Sequence, residues 1–147
     1  MRIKASMIVI AFILNGICLA GVYYVAPDGS DLTGDGSEGN PWATISKAIR
    51  SVPDGSVIKV RPGEYFGRVH LDRAFEKGVI VESEVPYQAV LRNNGIVVAV
   101  YGGANITFRG FDVAHSGPGA DVIVVHIDGP NTHDIILENN ILHDNKR

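Results

Sequence analysis

Two ionisable side chains stand two residues apart in Val125-His126-Ile127-Asp128, and this spacing is the clearest opportunity for chemistry in the chain. In an extended strand alternate side chains share a face, so His126 and Asp128 would project together with their Cα atoms roughly 7 Å apart. An imidazole beside a carboxylate on a rigid strand can bind a sugar, hold a metal or move a proton. An earlier segment, Val98-Ala99-Val100-Tyr101, aligns with it and sets Ala99 against His126 and Tyr101 against Asp128. His126, Asp128 and Tyr101 are therefore the candidate substrate-binding residues. The pattern assigns no catalytic residue.

Other polar groups crowd the C-terminal third: Asp112, His115, His133-Asp134 and His143-Asp144. A His-Asp dipeptide in a turn commonly forms a local hydrogen bond. A transition-metal centre wants three or four ligands at defined spacing, and no such pattern recurs. No metal site is assigned to these histidines. Asp28, Asp31, Asp35 and Glu38 sit in a Gly-rich loop, where carboxylates can collect calcium. Their spacing differs from the twelve-residue calcium loop, so calcium is a candidate ion there and no other cofactor is expected.

The elements that must position these residues are repeated. Val97 to Gly102 and Asn105 to Val113 recur as Val124 to Gly129 and Asp134 to Leu142, with two extra loop residues in the second copy. Repeats of short strands and turns at this period signal a solenoid, in which each unit buries its apolar face on a neighbour. The alignment also sets Arg109 against Glu138, an ion pair between coils worth under about 1 kcal/mol if exposed. Asn139-Asn140 replaces Gly110-Phe111. Asn tolerates the left-handed backbone that Gly takes freely, and its amide can bond to Asn on adjacent coils.

Before the repeats, Val22-Tyr23-Tyr24-Val25 reads as a strand and residues 28–41 as a loop. Thr44 to Val52 is the one helical segment. Thr44 can cap it, and Ile45, Ala48, Ile49 and Val52 follow one apolar face. From Val57 onward only strands of three to six residues appear, at Val57–Val60, Arg68–Leu71, Val79–Glu82 and Ala89–Leu91, with no hairpin turn between them. A single amphipathic helix lying across the first coil would cover its core and backbone edge.

The first twenty residues resemble a secretory signal peptide: Arg2 and Lys4, an apolar run Met7–Leu14, and small residues near Ala20. Cleavage there removes Cys18, the only cysteine, and leaves 127 residues that include no disulfide. Loss of Arg2 and Lys4 takes the formal charge from −3 to −5. An acidic mature chain argues against nucleic acid or anionic membrane as a partner. A secreted, periplasmic or cell-surface monomer is expected.

Tyr23 to Asp31, Gly39 to Ile45, Asp54 to Ile58 and Arg61-Pro62-Gly63-Glu64-Tyr65 together resemble the opening module of secreted right-handed parallel β-helix proteins of the pectate-lyase-like group. Ile106 to Phe111 and Ile135 to Asn140 resemble its coil repeats. The resemblance implies an all-β, right-handed parallel β-helix with an N-terminal capping α-helix. It divides the chain into a leader over 1–20, a strand, loop and capping helix over 21–56, and coils over 57–147. It also implies a secreted carbohydrate-active protein, a polysaccharide lyase acting on acidic polysaccharide. The alternative is a non-catalytic surface module binding glycan or protein. β-Elimination needs a Lys or Arg base beside a cation-neutralised carboxylate, and none of the mature lysines aligns beside an outward acidic cluster. The second copy stops at Asp144-Asn145-Lys146-Arg147 with no capping element, so a truncated C-terminus with the catalytic coils downstream is the expectation.

Overall fold

The computed structural model describes residues 19–117 and 125–144. The leader read over residues 1–20 lies outside the described residues as far as Cys18, as does Val124 at the start of the second repeat copy. Among the described residues no helix is long and apolar enough to cross a membrane.

The described residues are all-β with one short helix. In order it forms β1 (Val22–Val25), α1 (Ile45–Ser51), β2 (Val57–Val60), β3 (Gly63–Phe66), β4 (Val69–Leu71), β5 (Ala74–Ser83), β6 (Ala89–Asn93), β7 (Val98–Tyr101), β8 (Ala104–Arg109), β9 (Asp112–His115), β10 (Val125–Asp128), β11 (His133–Glu138) and β12 (Ile141–His143). The first sheet runs β1-β2-β5-β8-β11, the second β3-β6-β9-β12 and the third β4-β7-β10. Every pairing between these strands is parallel. From β2 the chain visits the first, second and third sheets in turn and then starts again. Parallel pairing needs a crossover between partners, and here the other two sheets supply it. This succession is consistent with a parallel β-helix.

The repeat alignment holds residue for residue. Val125 pairs with Val98, His126 with Ala99, Ile127 with Val100 and Asp128 with Tyr101. Ile135 pairs with Ile106 and Glu138 with Arg109. Inward columns such as Ile58-Val81-Phe108 and Leu91-Val113 are fully buried. Phe108 and Phe111 stack inside, with ring centroids 4.2 Å apart.

Helix α1 takes the place in the first winding that a third-sheet strand takes in later ones. Thr44 caps it, its side chain accepting from Lys47 N–H, and Ile45, Ala48 and Ile49 are buried. It covers the open edge of β4, where the His70 N–H donates to Ser46 Oγ at 2.9 Å. Arg73 fixes the other end by donating to the carbonyls of Ile49, Arg50 and Val52. An otherwise bare sheet edge and core end are thereby closed.

Three sequence expectations need correction. Strand β5 has ten residues, with a register break between Ala74 and Val79. The Asp54 carboxylate accepts the N–H groups of Glu76 and Lys77 there, holding an extension that the apolar pattern does not show. Residues 63–66, read only as part of the Arg61-Pro62-Gly63-Glu64-Tyr65 motif and not as a strand, form β3, because Gly63 adopts φ +141 and packs against Pro27 where a Cβ would clash. Asn140 bonds to backbone rather than to another Asn: its amide donates to Phe108 O and accepts from Phe111 N–H, both at 3.0 Å.

Candidate functional site

The third sheet is the shortest, and its outer face carries the predicted residues. Val98 and Val100 are buried, so Ala99 and Tyr101 face out, and parallel register carries the same orientation to His126 and Asp128. All three predicted side chains are thus brought together on adjacent strands. Tyr101 is 62% exposed, its ring lying across Gly129. A Cβ on Gly129 would approach that ring to 2.7 Å, and Gly129 holds φ +99, so glycine is required beneath the ring. Thr132 secures the turn by donating to Asp128 O and accepting from Gly102 N–H on the preceding winding, each at 2.8 Å.

Asp128 is partly committed: its Oδ1 accepts from the Gly129 N–H at 2.6 Å. The face keeps one aromatic ring, one carboxylate oxygen and the imidazole of His126. The register adds His70, which sequence reasoning missed. His70 pairs with Ala99, and Ala99 with His126, so two outward imidazoles flank a methyl group with Cα atoms about 10 Å apart. The signal was present in Val69-His70-Leu71, which has the same apolar-polar-apolar form as Val125-His126-Ile127.

The first sheet differs. Lys59, Glu82, Arg109 and Glu138 form one outward column of alternating charge. Arg109 pairs with Glu82 at 2.7 Å and with Glu138 at 3.3 Å. Hydrogen bonds to Glu82 first and Glu138 second hold the Arg109 guanidinium above its ordinary value. The aligned Arg109–Glu138 pair is therefore present, with Glu82 as an additional partner.

On the second sheet His143 lies between two carboxylates. Its Nε2 is 3.0 Å from Asp112 Oδ1 and its Nδ1 is 2.9 Å from Asp144 Oδ2, while Arg92 reaches Asp112 at 2.6 Å. The hydrogen bond to Asp112 raises the His143 imidazole above its usual range. Burial pushes Asp112 up, but hydrogen bonds from His143 and Arg92 outweigh it and hold the carboxyl low. Among the described residues the His133 side chain forms only the local pair with Asp134, at 2.8 Å. Among the described residues the buried ring nitrogens of His115 find no hydrogen-bond partner.

Two carboxylates of the Gly-rich loop serve its own folding. Asp31 accepts the N–H groups of Ala43 and Thr44 and the Thr44 hydroxyl, and Asp35 accepts the Ser37 N–H. Among the described residues no group of three or more His, Cys, Asp and Glu side chains is arranged to hold a metal ion.

All six arginines of the described residues are engaged: Arg50 by Asp72, Arg61 by Glu38 O, Arg68 by Ile96 O, Arg73 by α1, Arg92 by Asp112 and Arg109 by its two glutamates. A free guanidinium base beside an acidic cluster is not among them. The arrangement can stack on and hydrogen-bond a hydroxylated ligand.

A family model described as a protein of unknown function (DUF1565) matches residues 28–75, a third of the chain, spanning the Gly-rich loop, α1 and the strands from β2 to β4. No curated protein and no solved structure matches the chain.

Proposed function

We propose that the chain is an exported right-handed parallel β-helix of the pectate-lyase-like group, and that the outer face of its third sheet binds glycan without catalysis. The observation that carries this reading is the contrast in commitment between faces. On the first sheet Arg109 is tied to Glu82 and Glu138, whereas the third sheet aligns His70, Ala99 and His126 beside an exposed Tyr101. A rigid aromatic ring flanked by imidazoles and a carboxylate offers an apolar platform for a sugar ring and hydrogen-bonding groups for its hydroxyls. The binding reading is favoured over elimination because a lyase needs a positioned base and a neutralised substrate carboxylate.

Incubation with pectate or alginate, with and without calcium, separates the two. Retention of glycan with no new ultraviolet absorbance is expected. Appearance of unsaturated products would return the lyase reading, and absence of both retention and products would remove both.

A further inference from the structure

A groove of about 160 Å³ opens between α1 and the corner joining β3 to β4. One wall is Phe66, which is 72% exposed although it sits on a strand. Aromatic rings of this size contribute most when their faces are covered, and an uncovered Phe on a rigid strand is an unused apolar platform.

Among the described residues, several polar groups around it keep hydrogen-bonding capacity. Glu64 shares the outward face of β3 with Phe66 and is exposed. Arg68 uses Nε for Ile96 O, at 3.4 Å, and its remaining N–H groups are left for another acceptor. Ser46 Oγ accepts from the His70 N–H, so its own hydroxyl proton is left to donate. Tyr65, by contrast, already donates to Arg61 O at 2.9 Å and serves as structure.

Two other grooves lack this combination. In one, of about 290 Å³, the charged lining is Glu82 and Arg109, which pair with each other. In the other, of about 210 Å³, Asn105 donates to Phe75 O at 2.6 Å.

We propose that the Phe66 groove is a binding site for a single neutral sugar ring, separate from the third-sheet face. Glu64 and Arg68 give the lining one charge of each sign and no net charge, so a neutral polyhydroxylated ring meets both an acceptor and donors there. The apolar wall suits the C–H face of a pyranose, while Glu64 accepts from hydroxyls and Arg68 and Ser46 donate to them. The volume falls below the roughly 300–1,000 Å³ of a typical ligand pocket, which limits the site to one ring. All of the named groups lie within the span matched by the family model.

The test is titration of the isotopically labelled full chain with glucose, galactose, mannose, galacturonate and glucuronate, followed by amide chemical shifts. At least one neutral sugar is expected to shift residues 44–46 and 64–69 at millimolar concentration. Phe66→Ala should weaken that binding about tenfold, Glu64→Gln should weaken it less, and Tyr101→Ala should leave it unchanged. Phe66 and Glu64 are exposed, so both variants should fold, and an unchanged thermal midpoint checks this. Shifts by uronates alone, equal shifts in Phe66→Ala, or no shift with any sugar would overturn the proposal. Loss in Tyr101→Ala would assign the binding to the third-sheet face instead.

Discussion

The outer faces of the first and third sheets are built from the same windings yet spend their polar side chains differently. On the first sheet Arg109 is held between Glu82 and Glu138, so charge on one winding is answered by charge on the next. On the third sheet the corresponding column is His70, Ala99 and His126, and the neighbouring position presents an exposed Tyr101. A ladder whose members satisfy one another stabilises stacking and has little left for a ligand. A column interrupted by alanine has groups left over. The lesson concerns register: parallel stacking sets outward residues in columns, and a column whose members do not pair with one another leaves polar groups over for a ligand.

The two faces share one core, so the largest effect should strike both together. Phe108 is buried and stacked on Phe111. Phe108→Ala should cost about 3–5 kcal/mol, read as a drop in the denaturant midpoint. A small loss would mean that the interior column is not closely packed.

Next comes Tyr101→Ala, which should sharpen the contrast. The ring is exposed, so stability should change by no more than about 0.5 kcal/mol. Glycan affinity should fall about tenfold, measured by calorimetry. Gly129→Ala should give a similar binding loss with a larger stability cost, since it strains a positive φ and displaces the ring.

Arg109→Met addresses the opposite face. It removes one partner from each of two carboxylates, but the Arg109 side chain is 40% exposed. A loss of about 1 kcal/mol or less is expected, shrinking at high salt, with glycan affinity unchanged. A loss of binding in this variant would erase the distinction between the faces.

The smallest effect belongs to the second sheet and depends on pH. His143 is raised, so its contribution is complete below its ordinary value of about 6.5 and fades as pH rises through the higher folded value. Asp112 is lowered, so its contribution is complete above about 3.9 and fades as pH falls through the lower folded value. Both act fully between roughly pH 4 and 6.5. The thermal midpoint of the native chain should exceed that of His143→Gln most within this window, and the gap should close on the alkaline side. A gap that widens with alkali would contradict the pairing.

Much of this was readable from residue order. The apolar alternation of Val98-Val100 predicted orientation, and Ile45, Ala48, Ile49 and Val52 predicted the buried side of α1. The shared strand face of Tyr101, His126 and Asp128 follows from the alignment of the two repeats. What escaped depended on contacts across windings. Nothing local marks Asp54 as the group holding Glu76 and Lys77 in an extended strand, and Pro62-Gly63 looks like a turn until Pro27 is placed against it. His70 escaped because its winding diverges from the later copies outside the triplet Val69-His70-Leu71. The engagement of Arg50 and Arg73 required knowing that α1 lies on β4, which sequence distance conceals.

The most direct measurement is amide chemical-shift mapping of the full chain during titration with oligogalacturonate, oligoalginate and neutral oligosaccharides. Perturbations from a bound oligosaccharide should fall on β4, β7 and β10, centred on His70, Ala99, Tyr101 and His126, with the Lys59–Glu138 column silent. Shifts centred on that charged column, or a third sheet untouched by every glycan, would contradict the assignment of the binding face.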